Sequence, residues 1–117
     1  MRAREKERLQ RKLDREMQPF RRAGKDENPT NGLLRAVRKA LRVPVAEIAG
    51  KMGVNRSGVF DLEARELKSS ATLRSMSRMA EAMGCKLVYG IVPNYGETFE
   101  ELAEERYWRG KAVDSEQ

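Results

Sequence analysis

The chain has 117 residues, 24 of them Lys or Arg and 18 Asp or Glu, and with aromatics at only 6% its core must rest on Leu, Ile, Val and Met; that is room for one domain and one core, with charged arms to spare. A lone cysteine, Cys85, excludes an intrachain disulfide, and zero histidines exclude a His/Cys set for structural zinc, so no metal and no cofactor is expected. No run of 18 apolar residues and no signal-peptide pattern in the charged first 25 residues point away from the membrane and toward the cytoplasm.

Charge divides the chain in three. Residues 1–28 carry ten basic and six acidic groups, residues 29–93 eleven and five, and residues 94–117 three and seven. The basic body suits a phosphate polyanion, and the acidic tail is expected to face away from one or to meet a protein. Arg4 to Arg22 reads as a helix, because Leu9, Leu13, Met17 and Phe20 recur at spacings of four, four and three in a charged sequence. That narrow stripe has three destinations: its own domain, a second subunit or another protein, or, as a basic arm, a phosphate polyanion. Ala23 to Asn31, with Gly24, Asn28-Pro29 and Asn31-Gly32, reads as a linker.

Leu33, Leu34, Val37 and Leu41, with Ala40 beside them, mark the next helix. Pro44 suits the first turn of another, over which Ile48, Ala49 and Met52 repeat, and Gly53 stops it by accepting positive φ. Val54 plugs the turn and Asn55 caps a following helix. On that helix Arg56, Ser57, Phe60 and Asp61 fall within an arc of roughly 140°, with Val59 and Leu62 nearly opposite, so one face packs and the other is free to read a ligand. Ala49 and Gly58 are small enough for close helix approach.

Thr72 to Met83 predicts a further helix, its Leu73, Met76, Met79, Ala80 and Met83 read as core and Gly84 as its end, with Cys85 a small buried residue beyond. Leu87 to Val92 is an apolar run stopped by Pro93 and reads as a strand without a partner in its own chain. Either it pairs with the same segment of a second copy through Leu87, Val88, Tyr89, Ile91 and Val92, or it lies on the core as an extended connector. From Glu97 a last helix is expected with Phe99, Leu102, Ala103 and Tyr107 on one side; Trp108 lies off that stripe, as a contact surface or as part of a disordered tail after Gly110.

Glu47-Ile48-Ala49, Gly53-Val54 and Val59-x-x-Leu62-Glu63 resemble the core of phage-repressor-type (XRE) helix-turn-helix domains over about Leu33 to Met83. The whole chain, with Gly84 to Pro93, more narrowly resembles the mobile mystery protein A family, which implies an antitoxin-like role beside a Fic-domain partner. The fold implied is mainly α: a five-helix phage-repressor-like helix-turn-helix domain over 29–93, an N-terminal helical arm, one C-terminal strand pairing across a dimer, and a C-terminal helix. In several helix-turn-helix antitoxins that the chain resembles, a strand after the last helix pairs in this way. The resemblance also implies a structural pair between Glu63 and Arg38. Where many family members carry a glutamine that contacts DNA, Val45 stands here.

The expected base readers are Arg56, whose fork can take O6 and N7 of a guanine unless it serves a phosphate, Ser57, Phe60 on a thymine methyl, and Asp61. Asp61 repels phosphate; it accepts from cytosine N4 or restrains Arg56 or Arg65. Asn55, Arg65, Lys68, Ser69, Ser70 and Thr72 are the expected phosphate contacts. No histidine, no base beside Cys85 and no phosphate-binding glycine motif argue against an enzyme. The function expected is a homodimeric, sequence-specific repressor of an inverted-repeat operator in double-stranded DNA, acting as antitoxin and autoregulator with a Fic-type toxin. The alternative is a toxin-neutralising interaction module with weak or no DNA binding.

Overall fold

The computed structural model describes residues 3–21, 32–95 and 97–116, of which 111–116 are described by their helical backbone alone. Among these residues the protein is mainly α-helical, with α1 Ala3–Arg21, α2 Leu33–Leu41, α3 Val45–Met52, α4 Arg56–Leu67, α5 Leu73–Ala82 and α6 Phe99–Glu116. The linker expected over 23–31 lies outside the described residues, apart from which two compact units form: Asn28–Val88, and Met1–Glu27 together with Tyr89–Gln117. The sequence reading treats the two ends as separate segments and allows one domain; here the ends share a unit.

Asn28–Val88 holds the core. Ile48 and Ala49 from α3, Val59 and Leu62 from α4, and Met79, Ala82 and Met83 from α5 and its end close around Leu34 of α2, with Val37, Val45, Met52 and Met76 packed against them. Ile48, Val59 and Met79 are fully buried, which stabilises the unit by about 1.5–3 kcal/mol each. α3 packs on both α4 and α5, and α2 on the same two helices. Four helices are described in this unit where the sequence reading expects five. The predicted core faces also shift: Leu33 and Leu41 are more than half exposed and Ala40 is exposed, because α2 turns Leu34 and Val37 inward, and Leu73 is more than half exposed at the start of α5, which buries Met79 and Ala82 instead. Val45 packs against the core.

All four helices end in the same reverse turn, in which an N–H reaches back five residues: Val43 to the Arg38 carbonyl at 3.0 Å, Val54 to Ala49 at 3.0 Å, Ser70 to Arg65 at 2.9 Å and Cys85 to Ala80 at 2.8 Å. The turn requires a left-handed residue just before that N–H. Gly53 and Gly84 supply it at φ 68 and 80°, and Arg42 and Ser69 are forced into it at φ 55 and 57°. Starts differ more. Pro44, at φ −63° and ψ 139°, stands just before α3 rather than within its first turn. α2 begins at Gly32 without a side-chain cap of its own, and Glu66 of α4 takes its place, accepting from the Leu33 and Leu34 N–H groups at 2.8 and 2.9 Å.

The other unit pairs α1 with α6. Thr98 caps α6, its hydroxyl accepting from the Glu101 N–H at 3.0 Å and donating to the Glu101 carboxylate at 3.2 Å. Asp14 of α1 accepts from the Phe99 N–H at 2.7 Å and from Glu100 at 3.4 Å, and Arg11 lies 3.8 Å from the Glu100 carboxylate. Leu13, Met17, Phe20, Phe99, Leu102 and Ala103 are half-buried, and Pro93 is the one buried residue described in this unit. A Cβ on Gly90 would come within 2.6 Å of the Phe20 ring, so the ring lies directly on that backbone. α6 continues through Gly110 to Glu116.

Residues 85–93 form neither helix nor strand. Val88, Tyr89 and Ile91 are 64%, 66% and 73% exposed, while Leu87 and Val92 are half-buried. The expected strand is thus not formed within the chain, which offers its N–H and C=O groups no second strand among the described residues. No described helix is long and apolar enough to cross a membrane.

Candidate nucleic-acid interface

α4 has a packed side and an open one. Val59, Leu62 and Glu63 are buried, whereas Arg56, Ser57, Phe60, Asp61, Ala64 and Arg65 are exposed. The helix starts at Asn55, whose side chain accepts from the Gly58 N–H at 2.9 Å and from the Ser57 hydroxyl at 2.8 Å. Asn55 is therefore a cap first, and the Ser57 hydroxyl hydrogen is committed to it. Gly58 is tight against this turn rather than against a neighbouring helix: an added Cβ would meet the Val54 side chain and the Asn55 oxygen at 3.3 Å.

Arg56, exposed at the first position of α4, makes no hydrogen bond or ion pair with any described residue. Asp61 and Arg65 engage each other at 3.1 Å, one turn apart. Both side chains are largely exposed, so the pair adds little stability, but it takes up charge on the outer face. Phe60 is half exposed and lies 5.7 Å beneath the Arg38 guanidinium. Arg38 in turn holds the buried Glu63 through Nε and Nη2 at 2.7 and 3.2 Å. Glu63 thus has a partner for both oxygens, as a buried carboxylate must.

The residues expected to touch phosphate divide by what already occupies them. Thr72 caps α5, accepting from the Ser75 N–H at 3.1 Å and donating to its hydroxyl at 2.9 Å. Ser70 donates its hydroxyl to the Arg65 carbonyl at 3.3 Å. Ser69 occupies the left-handed position that ends α4, and the exposed ammonium of Lys68 has no described partner.

Beyond these, Arg35, Lys39, Arg42, Arg74 and Lys86 are exposed cations without a described side-chain partner, and the sequence reading assigned none of them a role. Arg35 lines one depression with Arg38, Phe60, Glu63, Ala64 and Leu67. Its spacing of three from Arg38 on α2 was the available signal, since it puts both on one helix face. Lys51 and Arg78 are engaged differently, donating to the Ala82 and Met52 carbonyls at 3.4 and 2.8 Å, where they satisfy helix ends. Of the five acids in this unit, Asp61 and Glu63 are paired with arginines and Glu66 holds the start of α2. The surplus of cations is therefore exposed on the surface.

Set against protein-family models, curated proteins and solved structures, the chain matches none.

Proposed function

We propose that this protein is a sequence-specific DNA-binding repressor of helix-turn-helix type, with α4 as the helix that enters the major groove. The observation that carries the reading is the outer face of α4, where an unengaged Arg56 and a half-exposed Phe60 stand on a helix whose opposite side is buried, in a unit with eleven basic and five acidic residues. Arg56 supplies a two-point donor for a guanine edge, and Phe60 an apolar contact. Lys68 and the exposed cations supply the salt-dependent attraction to phosphate. The chain acts as a homodimer on an inverted repeat, and by its resemblance to the mobile mystery protein A family it serves as antitoxin and autoregulator beside a Fic-type toxin, within the cytoplasm. It is not an enzyme in this reading.

A second reading is a toxin-neutralising interaction module with weak DNA binding. It is favoured by the Asp61–Arg65 pair, which neutralises part of the reading face, and by the exposed Val88, Tyr89 and Ile91. One experiment separates the two: selection of duplexes from a randomised pool by the purified protein, in parallel with copurification of the chain and a coexpressed Fic-domain neighbour. Enrichment of an inverted repeat supports the repressor. A stable complex with the neighbour and no enriched duplex overturns it in favour of the module.

A further inference from the structure

Glu63, Arg38 and Phe60 form a relay from core to surface. Glu63 is 7% exposed and grips Arg38 at two points, 2.7 and 3.2 Å; the Arg38 side chain, 14% exposed, then lies 5.7 Å from the centroid of Phe60, which is 52% exposed. A guanidinium held through two nitrogens has a fixed plane. A half-exposed phenyl ring has no such restraint of its own, and a fixed cation over one face favours the rotamer that keeps the two in contact. The covered face looks onto Arg38, and the rest of the ring is left open on α4, where Phe60 is the sole apolar side chain among the exposed residues of the first two turns.

We propose that this relay makes Phe60 a reader of the 5-methyl group of a pyrimidine in the major groove, with Arg38 as its positioning residue; the inference rests on the DNA-reading function proposed above. A phenyl ring offers no hydrogen bond to a base edge, and the one apolar group that base edges present in the major groove is that methyl. The neighbouring carboxylate, Asp61, is paired through one oxygen with Arg65 at 3.1 Å and offers no apolar contact. Thymine and 5-methylcytosine carry the same methyl, so the chemistry recognised is the methylated pyrimidine edge. If Phe60 served only to screen the Arg38–Glu63 pair from water, its replacement would alter stability and leave base discrimination untouched.

The test uses the full chain and a duplex selected from a randomised pool, in which each thymine is replaced in turn by deoxyuridine and each cytosine by 5-methylcytosine. Loss of the methyl at one thymine per half-site should weaken binding about fourfold, the equivalent of one buried methyl group. If the methyl read is that of 5-methylcytosine, methylation at one cytosine should instead strengthen binding by a similar factor. Phe60→Leu and Arg38→Lys should each abolish the discrimination, the second although Phe60 is intact and the cation toward Glu63 is retained. Should Arg38→Lys fail to fold by circular dichroism, the proton shifts of the Arg38 side chain in the unmodified protein give the second measurement, since a ring held over the guanidinium moves them upfield and a mobile ring does not. Bound duplex with no methyl-sensitive position overturns the inference and leaves the repressor reading standing. Discrimination lost in Phe60→Leu but kept in a folded Arg38→Lys overturns the role of Arg38. Failure to select any duplex sinks the repressor reading itself, and this inference with it.

Discussion

Arg56 and Lys68 are both exposed and unengaged, yet they stand at opposite ends of α4, and the proposed geometry gives them different work. Arg56→Ala should lower operator affinity by more than about tenfold and relax the choice at one guanine, as loss of a two-point base contact does. Lys68→Ala should weaken all sequences alike and reduce the slope of log affinity against log salt by about one unit. Competition assays with single-base operator variants across a salt series read both effects, and equal, sequence-independent losses would remove Arg56 from the reading face. Ser69 makes a different kind of prediction. At φ 57° its Cβ strains the turn that ends α4, by roughly 1–2 kcal/mol, against a smaller unfolded-state entropy change on introducing glycine. Ser69→Gly should therefore raise stability by about 0.5–1 kcal/mol in urea titration, and an unchanged or lower midpoint would show the strain to be absorbed elsewhere. That position was not legible beforehand: Gly53 and Gly84 announce left-handed turns by composition, whereas a serine or an arginine in the same conformation carries no local signature.

At the scale of helices, what decides the architecture is where buried or orphaned polar groups find partners. Replacing Arg38 with Met leaves the buried Glu63 carboxylate alone, and Glu63→Gln leaves Arg38 without its charge partner; each should cost about 3–5 kcal/mol. A double-mutant cycle should show the pair substitution costing clearly less than the two losses added, and strict additivity would mean that the residues do not act together. Glu66→Ala should cost about 1–2 kcal/mol by uncapping α2, with the loss of amide-exchange protection concentrated at Leu33 and Leu34; protection unchanged at those two amides would exclude the cap. Periodicity made the helices legible, and local chemistry made legible the ones that carry their own signals, as Asn55, Gly53 and Gly84 do. Glu66 capping α2 and Asp14 capping α6 join residues 32 or more positions apart, and nothing local to α2 or α6 encodes the donor's partner. The outward side of α2 is illegible for a related reason: Leu33 and Leu41 fit a helical stripe as well as Leu34 does, and only the packing of α4 and α5 chooses among them.

For the whole molecule, the two ends of the sequence converge on one unit, an arrangement that a charge profile cannot reveal because α1 and α6 differ in sign and lie far apart in the chain. The segment between α5 and α6 keeps Val88, Tyr89 and Ile91 open to solvent over six apolar or glycine positions, a costly surface for a lone chain and a ready edge for a second one. The proposed two-fold dimer would pair residues 87–92 of two copies, and that relation would put the α4 helices about 34 Å apart on half-sites one turn of DNA apart. Val88→Pro is a clean probe, since residue 88 is 64% exposed and its replacement leaves the core of Asn28–Val88 intact while removing a backbone donor from the edge. Sedimentation should show the variant shifted toward monomer, and binding to the inverted repeat should fall much further than thermal stability does. A protein that is monomeric at micromolar concentration without the substitution, or that binds one half-site as tightly as two, has some other use for this segment, and the cost of its exposed side chains would then point to the interaction-module reading instead.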